Sequence, residues 1–313
     1  MNSDKSISHK RCSESIGDFS TRLYSLLSQT DDNIFFSPLS IAACLQMVHQ
    51  GAKGNTRKQL GDVMGILGID DTDILSFYHD LIKSLNKRED DCTKLAVANR
   101  VWIKDNFNVL KEYKRVLQHD LHADIISNPF SDPELVANEV NGWVADSTNN
   151  MIKELISPSM INDLTRMILC NAIYFKGLWV DAFDSSQEED FHLNAKETAK
   201  VQMMRYYKNK NLMYGENSVA RYVLLPYKGN KDINMMIILP QVPYQLRQVE
   251  EQIVKAGVTD EWYKSVTSRE VNLALPKFRF EEQYDLKTLL CQMGAGEMFE
   301  AGVADFSGIN GEF

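Results

Sequence analysis

Helical spacing of apolar residues dominates the first half of the chain, and strand-like patterning dominates the second. Over residues 13–28 the positions Ile16, Phe19, Leu23, Leu26 and Leu27 recur at intervals of three and four, which predicts an amphipathic helix. Ser37 followed by Pro38 predicts the start of another, with a hydroxyl to cap free amides and proline where its missing N–H costs nothing. On that helix Leu39, Ala42, Ala43, Gln46 and Met47 lie near one another, and Gly51 ends it. Its small residues suit close packing under a sheet. Helical patterning returns over residues 73–86, 110–119 and 132–148.

Two kinds of strand pattern follow. Residues 93–103 alternate, with Leu95, Val97, Val101 and Ile103 on one side. Residues 166–175 (RMILCNAIYF) are apolar on both faces, the pattern of a strand buried centrally in a sheet. Residues 221–225, 233–239 and 271–275 run into Pro226, Pro240 and Pro276; proline gives no ladder donor, so these mark strand ends. No internal repeat, low-complexity tract or linker divides the chain, and strands do not alternate with helices. The expectation is one α+β domain spanning residues 1–313.

Composition narrows the function. The 313 residues are 44% hydrophobic and 25% charged, as in ordinary globular proteins, with a net charge of −9. That acidity excludes nucleic acid as the main partner, because phosphate binding needs a concentrated basic surface. Lys83, Lys87 and Arg88 are followed at once by Glu89, Asp90 and Asp91, which reads as a solvated charged turn, with a polyanion patch as the alternative. The longest apolar runs, such as residues 235–239 (MMIIL), are too short to span a bilayer, so no membrane partner is expected. The first eleven residues have no signal-peptide pattern. The cysteines (Cys12, Cys44, Cys92, Cys170, Cys291) are odd in number and widely spaced, unlike a disulfide framework or metal-ligand spacing. No N-glycosylation signal occurs. Together these point to a cytoplasmic location, with extracellular export by an unconventional route as the alternative.

Catalytic and cofactor motifs are absent: there is no HExxH, GxSxG or phosphate-loop pattern, and no cofactor or metal is expected. Gly294-Ala295-Gly296 reads as a helix end and turn, and residues 51–56 (GAKGNT) as a helix C-terminus and turn. His119 and His122 read as surface histidines that share a helical face, with no third ligand. Asp31-Asp32 and Glu188-Glu189-Asp190 read as solvated acidic turns. A Ser/His/Asp triad need not show in spacing, so an enzyme remains a third alternative, which nothing here favours. One polar residue does stand out. Asn171 interrupts the apolar run 166–175, and a buried amide left unpartnered costs about 1–3 kcal/mol. Ser37 and Ser40, at the start of the small-residue helix, are its natural partners. A satisfied core network and a functional cluster are both open from spacing alone.

The same residues carry a family likeness. Residues 33–41 (NIFFSPLSI) with Met47 and 51–56 (GAKGNT), 171–179 (NAIYFKGLW) with Phe183, 201–204 (VQMM), 225–227 (LPY), 239–240 (LP), 275–278 (LPKF), 284–286 (YDL), 293–294 (MG) and 304–309 (ADFSGI) resemble the serpin family in order, from near residue 15 to the end. The resemblance implies a serpin fold with three β-sheets, a five-stranded main sheet and eight or nine helices. It resembles the intracellular branch without a signal peptide.

The resemblance also implies a function. The full-length protein is expected to be a serine peptidase inhibitor, not an enzyme, with cysteine peptidases as alternative targets, and a monomer when complete. A peptidase cleaves an exposed loop, becomes acylated to it, and is dragged and distorted as the loop enters the main sheet. Serpin loop insertion is a well-known instance of strand addition and strain release. Ser37, Ser40 and Asn171 match the family's shutter, the polar cluster beneath the point where the sheet parts. Trp179 matches the breach tryptophan where the loop first enters, although a core aromatic would also fit; Lys277 matches a breach lysine. Asn150 and Met151 replace a usual Gly-Lys, and Leu178 a common lysine. The loop, its glutamate partner for Lys277, a shutter histidine and the C-terminal core strands are expected to be missing, so the 313-residue chain alone is not expected to trap a peptidase. A non-inhibitory serpin (chaperone, carrier or storage protein) is the alternative; small hinge residues would argue against it.

Overall fold

The helix predicted over residues 13–28 extends much further, as α1 (Asn2–Leu27). Its N-terminal half rests on α4 (Asp71–Asn86) through polar contacts: Ser8 Oγ donates to Asp73 at 2.6 Å and Lys5 pairs with Asp80 at 2.9 Å. A helix side held by such contacts leaves no apolar stripe to read. This architecture is a computed structural model, which describes residues 2–30, 32–87, 92–258, 260–280 and 282–312. Of the expected acidic and charged turns, Asp31 and residues 88–91 lie outside the described residues.

Ser37 caps α2 (Pro38–Gly51), its Oγ accepting from the N–H of Ser40, with Pro38 at the first position. Gly51 ends α2, but residues 54–56 open a further helix, α3 (Gly54–Val63), where a turn was expected. A Cβ on Gly51 would meet Ile309 Cγ1 at 2.4 Å, so glycine lets α10 (Ser307–Asn310) pass close. After α4 the chain forms β1 (Thr93–Lys104), the short α5 (Lys111–Arg115), a π turn (Val116–Asp120), β2 (Ala123–Asn128), α6 (Pro133–Ser147) and β3 (Met167–Gly177). Beyond α6, Asn149 and Asn150 have φ of 51° and 60°. Asparagine tolerates that left-handed region, so it serves where the family pattern has glycine.

The main sheet has the order β2-β1-β3, β1 parallel to β2 and antiparallel to β3. Helices cover both its faces. On one side α1, α2, α3 and α4 enclose a core around Phe19, Leu23, Met47, Leu60 and Val101. On the other, α6 packs Val136 and Val140 against Trp102 and Cys170. Two covered faces explain the apolar pattern of β3, but β3 is not central: among the described residues it pairs with β1 alone, and the sheet has three strands where the family implies five. An open edge leaves Asn171 half-buried.

The second half builds two more sheets from β4 (Ser185–His192), β5 (Thr198–Arg205), β6 (Lys210–Glu216), β7 (Ala220–Tyr227), β8 (Asn230–Pro240), β9 (Thr267–Val271) and β10 (Ala274–Pro276), in the orders β10-β5-β4 and β8-β7-β6-β9. Proline ends β8 and β10 as expected, whereas β7 continues to Tyr227 through an irregular register at Pro226. Glu188, Glu189 and Asp190 are strand, not turn. Glu189 takes two hydrogen bonds from the Arg205 guanidinium, at 2.7 and 2.6 Å, and Asp190 pairs with Lys200 across β4 and β5. Three further helices, α7 (Leu246–Ala256), α8 (Asp260–Ser265) and α9 (Leu286–Met293), complete ten α-helices among the described residues, one or two more than expected. The surplus lies in one-turn pieces such as α5 and α10, too short to show a period. Gly294 ends α9 at φ 108°, the left-handed C-cap that glycine supplies.

Candidate functional site

A chain of polar side chains crosses the main sheet from α2. The Ser40 hydroxyl donates to Asn171 Oδ1, and Asn171 Nδ2 donates to Asn99 Oδ1 at 2.7 Å. Asn99 Nδ2 in turn donates to the carbonyl of Leu121 at 2.7 Å. Ser37 joins indirectly, holding the Ser40 backbone N–H at 3.2 Å. Asn99 and Asn171 are direct partners in the β1–β3 register, so the pairing of the strands itself brings the amides together. Each amide therefore has at least one donor and one acceptor satisfied, as groups removed from water require.

Asn99 is 3% exposed and lay unremarked in the sequence. It occupies the same side of β1 as Val97 and Val101, a polar residue on an otherwise apolar face.

At the end of β3, Trp179 stacks on Tyr227 with ring centroids 4.6 Å apart and planes 17° from parallel, and the two residues share an isolated bridge. Phe175 meets the same tyrosine edge-on at 4.8 Å. Tyr227 lies so close over the strand end that a Cβ on Gly177 would sit 2.4 Å from it, which accounts for glycine before Leu178. Trp179 packs with Leu212, Leu225 and Leu275. Lys277 follows two residues after Leu275, exposed, its backbone N–H bound to the Gln202 carbonyl at 2.8 Å. The sheet thus carries two clusters, one polar beneath its middle and one aromatic at the end of β3.

Burial pushes the Cys12 and Cys44 thiols up to about 11 and that of Cys170 to about 12, which keeps them protonated and unreactive. Among the described residues no three His, Cys, Asp or Glu side chains are arranged to hold a metal ion, and no helix is long and apolar enough to cross a membrane.

Comparison with known proteins agrees over nearly the whole chain. Residues 14–312 match the family described as Serpin (serine protease inhibitor). Neuroserpin of Mus musculus is 32% identical over 296 residues, covering 91% of this chain and 72% of its own. Leukocyte elastase inhibitor of Equus caballus is 34% identical over 304 residues, covering 94% and 79%. Among solved structures, the cleaved Serpin 42Da superposes with a TM-score of 0.89 at 28% identity, over 96% of this chain and 81% of that one.

Proposed function

The chain belongs to the serpin family, and from that premise we propose that its full-length form inhibits serine peptidases by inserting a cleaved bait loop as a new strand beside β3. Residues 14–312 act as the single domain that receives it.

The observation that carries this reading is the polar chain from Ser40 through Asn171 to Asn99. It sits beneath the strand whose second edge has no partner among the described residues. A few hydrogen bonds at about 1 kcal/mol each form a restraint strong enough to hold a sheet and weak enough to be broken in passing. Ser37, Ser40 and Asn171 act as the shutter, with Asn99 as a further member. Trp179 and Lys277 mark the breach, where the incoming strand starts. An inserted strand running along the eleven residues of β3 gains a comparable number of backbone bonds, on the order of 10 kcal/mol. That equals the whole stability of an ordinary domain, enough to drag and distort an acylated enzyme. The name of the horse relative, an elastase inhibitor, supports a serine peptidase as target.

The test is incubation of the full-length protein with trypsin-like and chymotrypsin-like peptidases, resolved on denaturing gels. An SDS-resistant complex of protein and peptidase is expected. Cleavage without such a complex across a broad panel of serine and cysteine peptidases would overturn the inhibitory function.

A further inference from the structure

Three imidazoles meet where α4 abuts the approach to β2. His79 of α4 lies against His119, with centroids 5.5 Å apart and planes 20° from parallel, and against His122, at 4.5 Å and 33°. His79 Nδ1 is 3.0 Å from the His119 carbonyl, and His119 Nδ1 is 2.8 Å from Asp120 Oδ1. One pair is stacked and the other tilted; among the described residues they form no group that could hold a metal ion, and their closeness makes them sensitive to charge. Leu121, between the two stacked histidines in sequence, is the residue whose carbonyl anchors Asn99.

We propose that this stack is an acid-responsive latch: charging it separates residues 119–122 from α4 and frees the Leu121 carbonyl from Asn99. The second half of that statement rests on the polar chain being the sheet's restraint; the first does not. Like charges at these ring separations repel, and an open trough of about 430 Å³ beside His122, Asp124 and the backbone of β2 gives solvent protons access.

Both signs of charge face the stack. Asp80 and Lys83 project from α4, Lys5 and His9 reach Asp80 from α1, and Arg115 pairs with Asp120 at 3.3 Å. On the sheet side Arg100 of β1 holds Asp124 at 2.9 Å. Asp80 and Asp124 are thus already engaged by Lys5 and Arg100, and Asp120 is shared between Arg115 and His119 itself, which limits the power of these acids to neutralise new positive charge on His79 and His122.

Burial first, then His79, His119 and Lys83, hold His122 below its ordinary value of 6.5. The sign follows: the unfolded or open segment takes up protons first, so the closed contact is complete above 6.5 and weakens as pH falls below it.

The experiment is amide hydrogen exchange of the 313-residue chain at pH 7.5 and 5.5, with times scaled for the intrinsic exchange rate. Peptides covering residues 116–126 are expected to lose protection at pH 5.5, by up to about tenfold, the limit for one imidazole of ordinary value 6.5 that stays neutral in the closed state. His122→Asn, which tolerates the φ of 49° there, is expected to abolish the difference, and His79→Phe, which keeps a flat ring but removes one charge, to reduce it. Equal protection at both pH values, or a difference that survives unreduced in whichever variant folds, overturns the latch. Peptides covering residues 40–52 report separately on the buried His49. Loss of the latch signal would leave the shutter reading standing, since that reading is tested on Asn171.

Discussion

The amide of Asn171 is the residue on which the site turns. Its removal leaves the Ser40 hydroxyl and the nearly inaccessible Asn99 carbonyl oxygen without their partners. Asn171→Ala is therefore expected to lower the unfolding free energy by about 1–3 kcal/mol, seen as a lower urea midpoint at unchanged slope. Asn171 was legible in the sequence because a polar residue broke a continuous apolar run. Asn99 broke an alternating one, where polar residues are frequent and the interruption is easily passed over. His79 was illegible beside His119 and His122, because forty residues of sequence hide a contact made only when α4 meets the π turn.

A second residue carries a pH signature. His49 is 4% exposed on α2, its Nδ1 and both amide atoms of the neighbouring buried Gln46 have no protein partner among the described residues, and burial with the nearby Arg57 holds its imidazole down to about 4. The unfolded chain then takes the proton first, so this contribution is intact above 6.5 and is lost as pH falls toward 4. The loss is on the order of 3 kcal/mol. Urea denaturation of wild type and His49→Gln at several pH values checks it, with the two curves expected to converge as pH falls.

At the scale of elements, α6 is tied to the sheet by one carboxylate. Glu139 accepts from Trp102 Nε1 at 2.9 Å and from Asn128 Nδ2 at 2.7 Å, while the Arg100 guanidinium lies 5.1 Å from the Trp143 ring centre. Trp102 is fully buried, so Glu139→Ala leaves its N–H unsatisfied. The expected cost is about 1–3 kcal/mol, with faster amide exchange across residues 133–147; Glu139→Gln, which keeps an acceptor, should lose less. Elements with one wet face and one packed face, such as α2 and β1, were legible from their period. Strands β4 and β5 were not, because they lie on the surface and bring together charge pairs such as Asp190 opposite Lys200, which in sequence look like any solvated acidic stretch. The open edge of β3 was hidden in its pattern, because apolar faces report covering helices and say nothing about whether a strand lies alongside; only the family resemblance, with its missing strands, pointed to it.

For the whole molecule, a sheet restrained by a short polar chain, with a strand edge that is open among the described residues, stores its capacity to change in hydrogen bonds not yet made. Insertion must then stabilise the protein greatly, since the new backbone bonds outnumber the few polar-chain bonds that are broken in passing. The most direct measurement is the thermal midpoint of a form of the protein that carries the proposed bait loop, before and after proteolytic cleavage of that loop. We expect cleavage to raise the midpoint by on the order of 20 °C, from about 10 kcal/mol of added backbone bonding. An unchanged midpoint after complete cleavage would contradict a sheet built to accept another strand.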